Sequence, residues 1–202
     1  MDASNNIDLT SSDWTRSDSG TKPTLTIPYT EDELAFQATH DKATGCTGET
    51  DEFCGAQFAL WPGAVLADPE RGRVLVGYGK LCRGSDGARC KSTELAGENL
   101  GWGWFAAYPG FGLGGRMSPS SGGKMDVTNN NDPALFGGPN DFMYTTAAVT
   151  HDGYAYLYGA ASILEGSRVA RVPLDSFEDQ SKWTYWDGTN YQGDVNVGKG
   201  IM

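Results

Sequence analysis

Between residues 57 and 82 the apolar positions follow the rhythm of strands, not of a helix. QFALWPGAVLAD (57–68) and RVLVGYGKLC (73–82) are extended runs rich in Val, Leu and aromatic residues, and the Pro- and Gly-bearing PERG between them predicts a β-hairpin. GWGWFAAYPGFG (101–112) interleaves glycine with aromatic residues and reads as a further strand. A second hairpin is predicted where FMYTTAAVT (142–150) and YAYLYGA (154–160) flank His151-Asp152-Gly153, and SRVARVPL (167–174) and KWTYWD (182–187) supply two more strands. EDELAFQATH (31–40) predicts no more than a helical turn, and PTLTIPY (23–29), with its two prolines, at best an edge strand. Residues 117–141 read as a long loop and GFGLGG (110–115) as a turn. Residues 1–22 are a polar arm without periodicity, and 23–202 is read as the folded domain.

Strands in succession from 142 to 187 have the form of one propeller blade, and 57–118 reads as an earlier one. The inner-strand candidates begin at 57 and 142, farther apart than the ~40–50 residues of ordinary blades. The excess falls in the loops 83–100 and 117–141. The fold expected is therefore all-β and propeller-like but incomplete, with about two to three blades. A small sandwich of the same strands is the alternative.

Composition sharpens this. Glycine occurs 28 times and aromatic residues make up 11% of the chain, the pairing of a turn-rich β protein. A formal net charge of −11 repels phosphate backbones and anionic lipid, so nucleic acid and membrane surfaces are excluded as expected partners, while a neutral glycan is compatible. No apolar run reaches membrane-spanning length, and MDASNNIDLTSSDWTRSDSG lacks the features of a signal peptide. The cysteines nevertheless point to an oxidising compartment. Cys46 and Cys54, like Cys82 and Cys90, enclose short polar loops with glycine (TGETDEF and RGSDGAR). Two local disulfides are expected from that spacing, with zinc as the rival reading.

SRVARVPLDSFEDQSKWTYWDG, together with LWPGAVLADPERGRVLVGYGKL and LTIPYTEDELAF, resembles the secreted bacterial family known as domain of unknown function 4185. Its members resemble five-bladed propellers, and some are endo-D-arabinanases. The resemblance implies a secreted, glycoside-hydrolase-like protein acting on furanosidic glycans of the arabinan type. It also implies a partial member, because the family pattern includes a blade before this segment and further blades after it. A non-catalytic glycan-binding or structural β-domain is thus the alternative function. A third reading has copies of the chain covering one another's sheet edges as a homo-oligomer.

Glycoside hydrolysis uses two carboxyl groups flanking the scissile bond. Asp141, immediately before an inner-strand candidate, is the first expected catalytic acid, and Glu33 in the segment covered by the resemblance is the second. Their plain alternatives are a solvated turn acid after Pro139-Asn140 and a solvated member of the acidic run EDE. Trp61 beside Pro62 is expected to present its ring to a sugar, and His40 to orient a substrate hydroxyl. Core packing and ordinary surface are the alternatives. Glu49, Asp51 and Glu52 read as a solvated loop face, and His151 as a hairpin tip. Trp183, Tyr185 and Trp186 are expected to pack as a plug between blades more than to form a sugar platform. No cofactor is expected. Histidine occurs twice, too few for a catalytic zinc set, and DVTNNNDP (126–133) and DGTNYQGD (187–194) offer oxygen ligands for calcium without EF-hand spacing.

Overall fold

Both hairpins read from the sequence lie at the heart of antiparallel sheets in the computed structural model, which describes residues 27–91, 97–108, 113–124, 132–160, 166–198 and 200–201. The arm 1–22 and most of PTLTIPY lie outside the described residues, and its last residues, 27–29, are not a strand. In the first sheet, β1 (Gln57–Asp68), β2 (Arg73–Arg83), β3 (Glu98–Tyr108) and β4 (Leu113–Arg116) follow in chain order, and β5 (Leu135–Gly137) also pairs with β3. The second sheet runs β6 (Ala147–His151), β7 (Tyr154–Ala160), β8 (Ser167–Pro173), β9 (Thr184–Trp186) and β10 (Tyr191–Gln192), again in chain order. The protein is all-β in class.

Turn chemistry fixes the hairpins. Asp152 and Gly153 both take positive φ, 47° and 77°, between the paired residues His151 and Tyr154. That is the two-residue reversal whose twist matches the strands it joins. The β1–β2 connection ends on Gly72 at φ 58°. Helix α1 (Glu31–Thr39) is a full element where only a turn was expected; Thr30 and Glu33 close a reciprocal capping box at its start.

Alternation along the strands sorts the side chains onto two faces. Leu75, Trp102, Trp104 and Ala106 of the first sheet meet Leu157, Val172 and other buried residues of the second in one shared core. On the opposite face of the first sheet, Tyr78, Phe105, Ala107 and Leu135 form a smaller cluster, with Ile27 packed against it. Phe36 of α1 joins Phe58, Cys82, Cys90 and Leu100 in a third.

Trp183 is a plug: 1% exposed, its ring against Phe177 and Phe136, its Nε1 donating to the Phe177 carbonyl at 2.9 Å. Tyr185 is nearly as buried, whereas Trp186 stays half-buried against Tyr191.

Four expectations on extent change. The strand expected over 142–150 begins only at 147. Ala64 donates to the Thr145 carbonyl at 2.7 Å, and a Cβ at Gly63 would overlap that oxygen. Residues 142–146 are thereby drawn against β1, and Tyr144 is turned inward at 1% exposure. The Gly-rich stretch read as a turn contributes β4, the long loop contains β5, and β10 follows the strands foreseen.

The two expected disulfides, Cys46–Cys54 and Cys82–Cys90, are both formed, and the structure holds no free cysteine among the described residues. Their loops interlock. Asp86 donates to the Cys54 carbonyl at 2.9 Å, Arg89 to that of Glu52 at 3.0 Å, and the Ser85 hydroxyl to the same Glu52 oxygen at 3.1 Å. Two bridges of this kind are consistent with an extracellular protein. No helix of the described residues is long and apolar enough to cross a membrane.

Candidate functional site

Where the two sheets diverge at one end of their shared core, a cavity of 530 Å³ opens between them. Trp102 reaches it from β3, Phe136 from β5, Arg168 from β8 and Tyr185 from β9, while Phe142 and Tyr144 enter from the segment drawn against β1. Their rings form a connected wall: Tyr144 lies 6.1 Å from Trp102, 5.5 Å from Tyr185 and 5.1 Å from Phe142. Gly137 stands opposite Trp102 in the β3–β5 pairing, and a Cβ there would overlap the indole Nε1. Glycine at that position is what lets the indole lie along the strand.

Three polar atoms of this wall are buried without a hydrogen-bond partner: Trp102 Nε1, the Tyr144 hydroxyl and Arg168 Nε. Trp102 and Tyr144 are only 4% and 1% exposed. A buried donor left unmatched costs about 1–3 kcal/mol, a cost that a ligand bringing acceptors would remove. The Arg168 guanidinium lies 4.6 Å above the Phe142 ring. Burial raises the Tyr144 hydroxyl pKa well above that of a free phenol, and the neighbouring Tyr185 adds to the shift against the opposing pull of Arg168. Tyr185 is pushed up to about 12, by burial first and then by the nearby Asp141 carboxylate. Both phenols are therefore protonated donors at neutral pH.

Acids and amides stand at the mouth. Asp141 is about half exposed, its Oδ2 accepting the Gly138 amide at 2.8 Å with Lys124 Nζ at 3.9 Å. Asp194 caps a short turn, accepting from the Asn196 amide at 2.9 Å and from its side chain at 3.0 Å. Asn140 and Gln180 complete a rim that both donates and accepts.

Of the four site residues expected from sequence, only Asp141 lies on this cavity. Glu33 is 2% exposed and sits on the far face of the first sheet, in a closed ionic group. Its Oε1 takes Lys80 Nζ and, at 2.7 Å, Arg116 Nη1, while its Oε2 takes the Thr30 amide at 2.7 Å. Asp132 faces the same two cations at 2.7 and 2.6 Å, and Tyr78 accepts from Arg116 Nε at 2.8 Å. With two carboxylates matched to two cations and only 2% exposure, Glu33 is sealed from solvent and held by partners within the protein. Glu33, expected beside Asp141 as the second acid, does not share this cavity with it.

His40 donates or accepts through Nδ1 at 2.6 Å from Asp51 Oδ2, its ring wedged against Phe36 and Phe53. This bond lowers the Asp51 pKa and takes Asp51 out of the solvated loop face expected for it. Trp61, 44% exposed on β1 opposite Gly79, does not line the cavity.

Trp102, Tyr144 and Arg168 were not singled out in the sequence. The signal available was GWGW, where flanking glycines leave room beside an indole; nothing marked Tyr144 or Arg168. Of the calcium candidates, residues 126–131 lie outside the described residues, and Asp132 is committed to Lys80 and Arg116. Among the described residues no group of three or more His, Cys, Asp or Glu side chains is placed to hold a metal ion. Comparison with models of known families and with curated proteins finds no match for this chain.

Proposed function

We propose that this protein binds carbohydrate in the cavity between its two sheets. One observation carries the reading: a wall of linked aromatic rings contains buried donors with no partner of their own. Sugar rings offer what that wall lacks, apolar C–H faces for the aromatics and hydroxyl oxygens for the donors. Asp141, Asp194 and Asn140 at the mouth suit the remaining hydroxyls.

Two sheets built of strands in chain order, with β1 beside the start of the second sheet, support a propeller-like reading of the fold with each sheet as a blade. That arrangement and the motifs ARVPL and KWTYWDG support partial membership of the domain of unknown function 4185 family, and the disulfides support secretion. In this reading the ligand is a furanosidic glycan of the arabinan type.

Glycoside hydrolysis is the second reading, favoured by one fact: Asp141 and Asp194 line the same cavity.

Titration of the full chain with arabinan and other plant and bacterial oligosaccharides, followed by tryptophan fluorescence, tests binding. Saturable quenching that weakens about tenfold in Trp102→Phe, which keeps an aromatic ring but removes the N–H, is expected. A panel without any saturable ligand would sink the proposal. Release of oligosaccharides that disappears in Asp141→Asn would favour the hydrolase over the binding module.

A further inference from the structure

We infer that the inner end of this cavity is a carboxylate subsite, so that the carbohydrate it selects is an acidic one bearing a uronic acid. This rests on the carbohydrate reading above and narrows it. The three unpartnered groups share one chemical property. Indole N–H and guanidinium can only donate, and the Tyr144 hydroxyl, protonated and buried, has a proton to give. Two of them are close together: a single point beside Gly198 lies 3.4 Å from the Tyr144 hydroxyl and 3.2 Å from Arg168 Cδ. The Trp102 ring lies 6.1 Å from that of Tyr144 on the same cavity wall. A group that satisfies all three must bring oxygen acceptors and no donor of its own.

Arg168, like Arg171 over the Tyr154 and Tyr191 rings, is paired among the described residues with an aromatic ring and not an acid, and of the two it is Arg168 that lines the cavity. Arg73 reaches Asp68 at 2.8 Å, Arg116 reaches Glu33 and Asp132, and Lys80 reaches the same two acids. Arg168 has the Phe142 ring beneath it and, among the described residues, no carboxylate. The two acids that share its cavity are occupied elsewhere, Asp141 with the Gly138 amide and Asp194 with its own turn. In a protein of net charge −11, an arginine that meets no acid among the described residues and lines a cavity is free to take one from a ligand. A planar guanidinium matches a carboxylate better than a hydroxyl, through short charge-assisted bonds. The aromatic wall then takes the ring that carries the carboxylate, and the acidic rim takes its hydroxyls. The same rim disfavours a chain charged at every sugar, which points to a uronate among neutral residues.

Calorimetric titration of the full chain with a uronate-bearing oligosaccharide and with its carboxyl-reduced, otherwise identical counterpart tests the inference. The acidic form is expected to bind about 10–100-fold more tightly, the worth of a hydrogen-bonded charge pair. In Arg168→Gln that preference should collapse, and in Tyr144→Phe it should shrink, each variant first checked by its melting curve. The wild-type comparison decides the matter even where a variant does not fold. Equal affinity for the two forms, tighter binding of a sulfated analogue, or a preference that survives Arg168→Gln would overturn the inference while leaving carbohydrate binding intact. Absence of binding to either form and to neutral arabinan would instead remove the carbohydrate reading itself.

Discussion

Lys80 shows how much one side chain can hold. It is fully buried on β2, with Glu33 and Asp132 at its ammonium and the Phe58 ring 4.4 Å away. Opposite it, β3 carries Gly101 paired with Lys80 and Gly103 paired with Tyr78, and a Cβ at Gly103 would overlap the Tyr78 ring. Gly103 thus makes room for Tyr78, which accepts from Arg116, whereas a Cβ at Gly101 would meet the Gly137 carbonyl. Lys80→Met would leave two buried acids sharing Arg116, and a loss of about 3–5 kcal/mol in urea unfolding is expected. Glu33→Leu combined with Lys80→Met should cost less than the sum of the separate changes, because the pair leaves together. The group also sets an acid limit. Burial works against the Asp132 carboxylate, but Lys80 and Arg116 outweigh it and hold its pKa below the ordinary value. A depressed folded pKa gives stability that is complete above the unfolded value of about 3.9 and is lost as pH falls through the folded one. Unfolding free energy should therefore be flat near neutrality and drop below about pH 4, and Asp132→Asn should flatten that drop.

The paired disulfide loops behave as one element. Each bridge closes a short loop and contributes about 2–3 kcal/mol on the chain-entropy model. Because Asp86, Arg89 and Ser85 of one loop bond the backbone of the other, loss of either bridge loosens both. Replacing Cys82 and Cys90 by serine should thus destabilise by more than its own loop entropy, and the four-serine protein by less than the two pairs added. Glycine substitutions separate fit from conformation. A Cβ at Gly87 would overlap the Glu52 carbonyl, whereas at Gly72 it would meet nothing within 4 Å. Thermal melts should show a drop of several degrees for Gly87→Ala. Gly72→Ala should cost only about 1 kcal/mol, the strain of its positive φ.

Across the whole molecule, the two sheets share one core and are expected to unfold as one body. Trp102 and Trp104 come from the first sheet, Phe177 and Trp183 from the connection between β8 and β9 of the second, and their rings touch. Far- and near-ultraviolet dichroism should therefore report a single coincident transition, and Phe177→Ala should shift both together, by about 3–5 kcal/mol. Two separate transitions would show that the sheets hold themselves up independently. The sheet edges bear on assembly. Trp61 and Val65 on β1 and Val149 on β6 are among the exposed large apolar side chains. Sedimentation velocity distinguishes the homo-oligomer expected from covered edges, which depends on concentration, from a monomer that tolerates them.

The alternation of residues 57–82 and 147–160 determined two hairpins, and Asp152-Gly153 determined the reversal of one, because period-two patterning and positive-φ residues act over a few neighbours. Cysteine spacing determined the disulfides for the same reason, since each closes on its own loop. The burial of Trp183 was legible too, from its place in the aromatic cluster Trp183, Tyr185 and Trp186, although the residue itself precedes β9. Tertiary structure decided the rest. Glu33 and Asp141 look alike in sequence, both acids next to expected structure, yet one is sealed between Lys80 and Arg116 and the other faces a cavity. Their fates depend on partners 47 or more residues away in the first case and on the approach of a second sheet in the other. Tyr144 enters the cavity because Thr145 bonds β1, and Arg168 matters because among the described residues it meets the Phe142 ring and no acid. Local pattern names the strands; long-range packing chooses which side chains are left with unmatched chemistry, and a binding site is made of those.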